Sequence, residues 1–135
     1  MPLVVVLDTN FIAVPAQFGV DIFSEAQRVL EQSLEFVILS SALDELEQRI
    51  SSAKSKTEAR DFRIARDLAE RCRIEIIEPA SEGKSVDDQL LEFAQLNSGV
   101  LATNDKELRR RARSAGVPVL LLRGRSHLVL DGTVI

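Results

Sequence analysis

The stretch VVVLDTN at residues 4–10 runs four apolar residues into a carboxylate, a hydroxyl and an amide. Leu3 extends the run to five apolar residues, the pattern of a strand buried on both faces, as in a parallel sheet covered by helices. In such sheets sites form at the C-terminal ends of the strands, where the loops leave. Asp8 stands at that point, and a carboxylate that follows a buried strand needs a partner.

Strands and helices alternate outward from this strand. An apolar loop with Pro15 and Gly19 is expected next, then a helix over 22–34 with Ile22, Ala26, Val29 and Leu30 on one face. Residues 36–39 read as a strand running into SSALDELEQRI, a helix with Ser41 as N-cap and Asp44 completing a capping-box variant. A polar turn at 51–56 leads to a helix over 57–72, whose Phe62, Ala65, Leu68, Ala69 and Cys72 recur at helical spacing. A short strand at 74–77 and a loop at 79–84 precede SVDDQLLEFAQLN, a helix in which Ser85 and Asp88 repeat the cap spacing. Residues 100–102 read as a strand, 105–114 as a charged helix stopped by Gly116, and 117–122 as a further strand. HLVL and TVI around Asp131-Gly132 read as an edge hairpin. The alternation predicts one α/β domain over 1–135, a three-layer α/β/α sandwich with a mainly parallel central sheet.

Composition narrows the chemistry. The single cysteine, Cys72, allows neither an internal disulfide nor a thiolate metal cage and suits a reducing compartment. No apolar run is long enough to span a membrane and no basic leader precedes the first strand, so a cytoplasmic protein is expected. The net charge of −4 looks unfavourable for a nucleic-acid binder. The objection weakens if four of the acids serve a metal, which leaves the remainder of the chain neutral.

Four acids are placed to do so. Asp8 and Asp105 each follow a strand, and Glu45 and Asp87 lie early in helices that leave the same kind of loop. A carboxylate cluster without His or Cys suits Mg2+ or Mn2+, hard ions that activate water and bind phosphate oxygens. The acids other than Asp8 also have structural readings: Asp44 and Asp88 as caps, Glu45 and Asp87 as helix-dipole partners, Asp105 as an N-cap or first-turn residue.

The ordered set LDTN at 7–10, an acid before Leu at Glu45-Leu46, VDDQLLEFA at 86–94 and ATND at 102–105 resembles the PIN-domain nucleases across essentially the whole chain. The resemblance implies a divalent-metal-dependent endoribonuclease acting on RNA, mostly single-stranded. Asp8, Glu45, Asp87 and Asp105 would be its metal ligands or water activators, with Mg2+ or Mn2+ as cofactor. Thr9, Asn10, Thr103 and Asn104 would orient those acids by hydrogen bonds. Counting back from Ala94 favours Asp87 over Asp88. The opening and the tail resemble short archaeal PIN proteins related to ribosomal-RNA processing nucleases more than VapC-type toxins. Candidate partners are accordingly RNA, a second copy of the chain, and a pre-ribosomal assembly or an antitoxin.

Arg109, Arg110, Arg111 and Arg113 crowd the helix after Asp105, with Arg123, Arg125 and His127 beyond it. Such a run reads either as a solvated face or, beside the acidic rim, as an RNA-backbone surface that Lys54, Lys56, Arg60 and Arg63 would extend. Phe11, Ile12, Val14, Pro15 and Phe18 read as a core lid or a homodimer surface. A catalytically inactive RNA-binding scaffold is the rival from another class. A haloacid-dehalogenase-like phosphatase needs an acid where Asn10 stands, and a receiver domain needs its paired acids just after strand one.

Overall fold

The computed structural model describes residues 1–134, so Ile135, the end of the expected TVI strand, lies outside the described residues. Six strands form one sheet: β1 (Leu3–Leu7), β2 (Leu34–Leu39), β3 (Arg73–Glu75), β4 (Val100–Ala102), β5 (Val119–Arg123) and β6 (His127–Asp131). Their order is β3-β2-β1-β4-β5-β6. All neighbours are parallel except β5 and β6. β1 lies between β2 and β4, with Leu3 opposite Leu34 and Leu7 opposite Ala102. Asp8 and Thr103 therefore leave the sheet side by side.

The helices are α1 (Thr9–Ile12), α2 (Val14–Phe18), α3 (Ile22–Leu30), α4 (Ser40–Ser51), α5 (Lys56–Ala69), α6 (Val86–Leu96) and α7 (Lys106–Ser114). From β1 the chain steps outward to β2 and β3, then returns to β4 on the other side of β1. Right-handed crossovers therefore put α1–α5 on one face and α6 and α7 on the other. The packing agrees: α4 contacts β2, α5 and α1, whereas α6 contacts β1, β4 and α7. Leu7, Ile38, Leu39, Leu101 and Leu120 of the sheet are fully buried between Leu46 of α4 and Leu90 and Leu108 of α6 and α7. The predicted three-layer sandwich is the fold observed. Among the described residues no helix is long and apolar enough to cross a membrane.

Several boundaries differ from expectation. The segment read as an apolar loop coils into α1 and α2, because the Asp8 carbonyl accepts from the Phe11 and Ile12 N–H groups and Pro15 sits in the first turn of α2, where no N–H is needed. Phe11, Ile12 and Val14 enter the core, so the core-lid reading holds for them; Phe18 does not. α3 stops at Leu30, short of 34, because Glu31 adopts φ 51° and its N–H closes on the Gln27 carbonyl, which lets β2 begin at Leu34. The expected Ser41 and Asp44 cap is absent: α4 starts two residues earlier, with Leu39 at the N-cap and no side-chain bond there. Ser41 is instead buried, and its Oγ has no protein partner.

α5 ends at Ala69, so Cys72 lies just past the helix, half-buried against the core. β3 begins one residue before the expected strand and ends at Glu75, and β5 begins at Val119 rather than 117, with Val117 tied back to Ala112. The edge hairpin is β5–β6, turning at Gly124 (φ 64°) and Arg125 (φ 60°) rather than at Asp131-Gly132. Its outer strand is anchored by Glu25 of α3, whose carboxylate accepts the Leu128 N–H at 3.0 Å while Arg28 donates to the Leu128 carbonyl at 3.3 Å. Gly99 lets the turn before β4 pass over β1, since a Cβ there would stand 2.7 Å from the Val4 carbonyl oxygen.

Candidate active site

Asp8 is 4% exposed. Its Oδ1 accepts the Thr9 N–H at 2.7 Å, and its Oδ2 accepts from Thr103 Oγ1 at 2.6 Å and Asn10 Nδ2 at 3.0 Å. The Asp8 N–H donates to the Ala102 carbonyl at 2.9 Å, which joins the ends of β1 and β4. Thr103 Oγ1 in turn accepts the Asp105 N–H at 3.1 Å, so one hydroxyl links the two acids that follow these strands. No cation pairs with Asp8 among the described residues. Burial, together with the charges of Asp87 and Glu45, pushes its carboxyl up to about 6, against the lowering by its Thr103 and Thr9 hydrogen bonds.

The other acids arrive as the sequence predicts. Glu45 lies in the second turn of α4, half-exposed and loosely paired with Arg49 at 3.6 Å. Asp87 lies in the first turn of α6, where burial and the charges of Asp105 and Glu45 raise its pKa. Asp105 caps α7, its Oδ1 accepting the Leu108 N–H at 2.8 Å, so the N-cap reading holds while Oδ2 makes no protein hydrogen bond. These couplings place the four carboxylates in one another's fields although they span the chain from residue 8 to residue 105.

Asp88 is committed elsewhere. It completes the predicted capping box with Ser85 and accepts from Arg111 at 2.6 Å, which holds its carboxyl down at about 2. Asp87, one residue earlier, has no such partner.

Among the described residues no group of three or more Asp, Glu, His or Cys side chains closes into a ready-made metal cage. The donor chemistry nonetheless fits a hard divalent ion. Two of these acids, Asp8 and Asp87, have raised pKa values because they are partly dehydrated beside like charges. An ion taking oxygen ligands would relieve both penalties.

The four residues expected to orient the acids divide. Asn10 and Thr103 bind Asp8 through their side chains. Thr9 does so through its backbone N–H, while its buried hydroxyl has no protein partner. Asn104 touches none of the acids with its side chain: its N–H donates to Asn10 Oδ1 and its own Oδ1 accepts the Leu122 N–H at 2.9 Å. It therefore ties the rim to β5.

The basic helix is largely neutralised. Arg109 and Arg113 both pair with Asp131, Arg110 with Glu107, and Arg111 with Asp88. Of the arginines expected to face RNA, Arg123 and Arg125 are exposed without an acidic partner among the described residues. Lys106, which the sequence reading passed over, joins them; its signal was its place directly after Asp105. Lys54, Lys56 and Arg63 are also exposed, along or beside α5, and Arg60 lies near Asp61. His127 opens β6 with its Nδ1 3.0 Å from Ser126 Oγ, outside the acidic set. Two clefts flank the rim, one of ≈ 290 Å3 lined by Ser41, Glu45 and Val86, the other of ≈ 300 Å3 lined by Thr103, Asn104 and Lys106.

Comparison with known proteins gives a consistent picture. The family profile described as "PIN like domain" matches residues 5–125. The chain is 28% identical over 131 residues to ribonuclease VapC4 of Methanocaldococcus jannaschii, covering 96% of this chain and 98% of that protein. It is 39% identical over 84 residues to ribonuclease VapC9 of Archaeoglobus fulgidus, covering 62% and 58%. Among solved structures, the PIN domain endonuclease Utp24 superposes with a TM-score of 0.76 at 27% identity, covering 98% of this chain and 94% of that one.

Proposed function

The chain belongs to the PIN-like domain family, and from that premise we propose that it is an endoribonuclease that hydrolyses RNA phosphodiesters at the rim formed by Asp8, Glu45, Asp87 and Asp105. The observation that carries the proposal is Asp8: a buried carboxylate at the end of the central strand, held by three hydrogen bonds, raised to about 6, and facing other acids with no protein cation. A fold keeps such a group at a cost, and a site that recruits a cation is the use that offsets it. The named activities of the relatives, two ribonucleases and an endonuclease, support the same reading.

The residues proposed to hold Mg2+ or Mn2+ are the four acids. Such an ion, when bound, acidifies water and offsets the charge that builds on the phosphate oxygens. Thr103 and Asn10 fix the Asp8 carboxylate so that Oδ1 and Oδ2 keep one orientation. Asp105 is held at the same rim by its cap bond and by Thr103. Asp87, whose carboxyl is pushed up by burial and by the charges of Asp105 and Glu45, completes the acids proposed to hold the ion or activate water. Exposed Lys106, Arg123 and Arg125 supply the positive field that draws the RNA backbone to an otherwise acidic rim.

The test is cleavage of a labelled single-stranded RNA with Mn2+, Mg2+ or EDTA, comparing wild type with Asp8→Asn. Metal-dependent cutting that is lost in the variant is expected. A wild type that cuts with neither metal and gains no thermal stability from Mn2+ would favour the inactive scaffold. The biological setting follows from the partner. Recovery of a small antitoxin with the protein would support a toxin role, and recovery of pre-ribosomal RNA a processing role in the cytoplasm.

A further inference from the structure

Six phenylalanines are the chain's whole aromatic stock. Five are buried or half-buried, and Phe18 alone is exposed, at 41%. It ends α2, immediately before Gly19, which turns the chain at φ 69°. The ring borders two clefts. One is the ≈ 300 Å3 cleft that also contains Asn104, Lys106 and Leu122 and opens beside the last acidic motif. The other, of ≈ 440 Å3, is shared with Asp21, Arg125 and Ser126 of the hairpin turn.

The chemistry around the ring is specific. The Arg125 guanidinium lies 5.8 Å from the Phe18 centroid, and Arg125 itself sits in the hairpin turn at φ 60°, a left-handed conformation uncommon for a residue with a long side chain. Lys106 and Arg125 are exposed and pair with no carboxylate among the described residues. Asn104 uses its Oδ1 on the Leu122 N–H, and its Nδ2 makes no hydrogen bond among the described residues. An exposed aromatic ring that already holds a guanidinium, a second cation in Lys106 and an amide donor beside the acidic rim match the needs of an unpaired nucleotide: a base to stack and phosphates to pair.

We propose that Phe18 is the stacking platform for one unpaired nucleobase of the RNA substrate, on the β5 side of the acidic rim, with Lys106 and Arg125 pairing with the phosphates beside that base. This rests on the endoribonuclease reading and adds to it the means of substrate choice. A duplex keeps its bases stacked inward and offers none to the ring, so the platform selects single-stranded or looped RNA.

The experiment measures affinity, not cutting. A short labelled single-stranded RNA is titrated with protein in EDTA, alongside versions in which one nucleotide at a time is abasic. Phe18→Ala should weaken binding by about tenfold or more, Phe18→Tyr should restore it, and Phe18→Leu should not. At one position the abasic RNA should bind wild type as weakly as intact RNA binds Phe18→Ala, with no further loss when the two are combined. Unchanged affinity in Phe18→Ala, or full rescue by Phe18→Leu, would overturn the proposal. So would a shift from dimer to monomer in Phe18→Ala with RNA affinity intact, which would make the ring a contact between copies. A wild type that binds no RNA would overturn the endoribonuclease reading as well, whereas RNA binding and cutting that ignore Phe18 would overturn the platform alone.

Discussion

Asp8→Asn in metal-free buffer should change stability with a sign that depends on pH. Folding raises the Asp8 carboxyl from 3.8 to about 6, so between these values the native state binds more protons than the unfolded chain. The wild type therefore loses stability as pH rises from about 4 to about 6 and stays lower above that. At ~1.4 kcal/mol per pKa unit, the charge costs about 3 kcal/mol at pH 8 and almost nothing at pH 4. The carboxamide removes that cost but cannot accept all three hydrogen bonds. If its oxygen takes the Thr9 N–H, its NH2 faces the Asn10 NH2 and a Thr103 hydroxyl that already accepts from Asp105. That donor conflict costs about 1–2 kcal/mol at every pH. The variant should thus be more stable than wild type by about 1–2 kcal/mol at pH 8 and less stable by a similar amount at pH 4. Urea denaturation of both proteins in EDTA at pH 4, 6 and 8 reads this directly. A constant difference at all three pH values would show that Asp8 carries no desolvated charge, and the reasoning that assigns it to a cation would fall. Adding Mn2+ at pH 8 should then stabilise wild type more than the variant.

Asp87 and Asp88 should separate cleanly: Asp87→Asn abolishes metal-dependent cleavage without loss of thermal stability, while Asp88→Ala lowers the melting temperature and keeps cleavage. Ser85→Ala, which removes the other half of that capping box, should cost about 1 kcal/mol in denaturant titration. Gly99→Ala should destabilise by about 1–3 kcal/mol, because its methyl group would press on the Val4 carbonyl in the central strand. Glu25 is held down at about 2, first by Arg28 and then by the Leu128 N–H. Its anchoring of β6 is therefore complete above pH 4.5 and lost as pH falls through about 2; Glu25→Ala should speed amide exchange at Leu128 already at neutral pH.

Periodicity made the sheet legible because buried parallel strands are unbroken apolar runs: Leu3–Leu7 matches to the residue, and β4 matches as well. The Ser85 and Asp88 cap was readable for the same reason, since both partners lie within one turn. Residues 11–18 are helical and not a loop because backbone carbonyls without a sequence signature coil them, that of Asp8 over α1 and those of Ala13 and Pro15 over α2. Ser41 looked like a cap, yet β2 carries straight into α4 and buries that hydroxyl instead. At the site, the positions of Asp8 and Asp105 after strands and of Glu45 and Asp87 early in helices were legible, but the silencing of Arg109 and Arg113 was not. Their partner Asp131 approaches across the β5–β6 hairpin, and only the fold brings it there.

The central position of β1 also ties the orientation of Asp8 to a long-range pairing. Asp8 precedes Thr103, which orients it, by 95 residues, and β1 lacks its second neighbour until β4 has paired. Parallel pairing across such separations is slow to form. A partly folded chain therefore carries Asp8 without the hydroxyl that fixes its carboxylate. The orientation of that side chain arrives only with the pairing of β4, so its geometry reports on completion of the sheet.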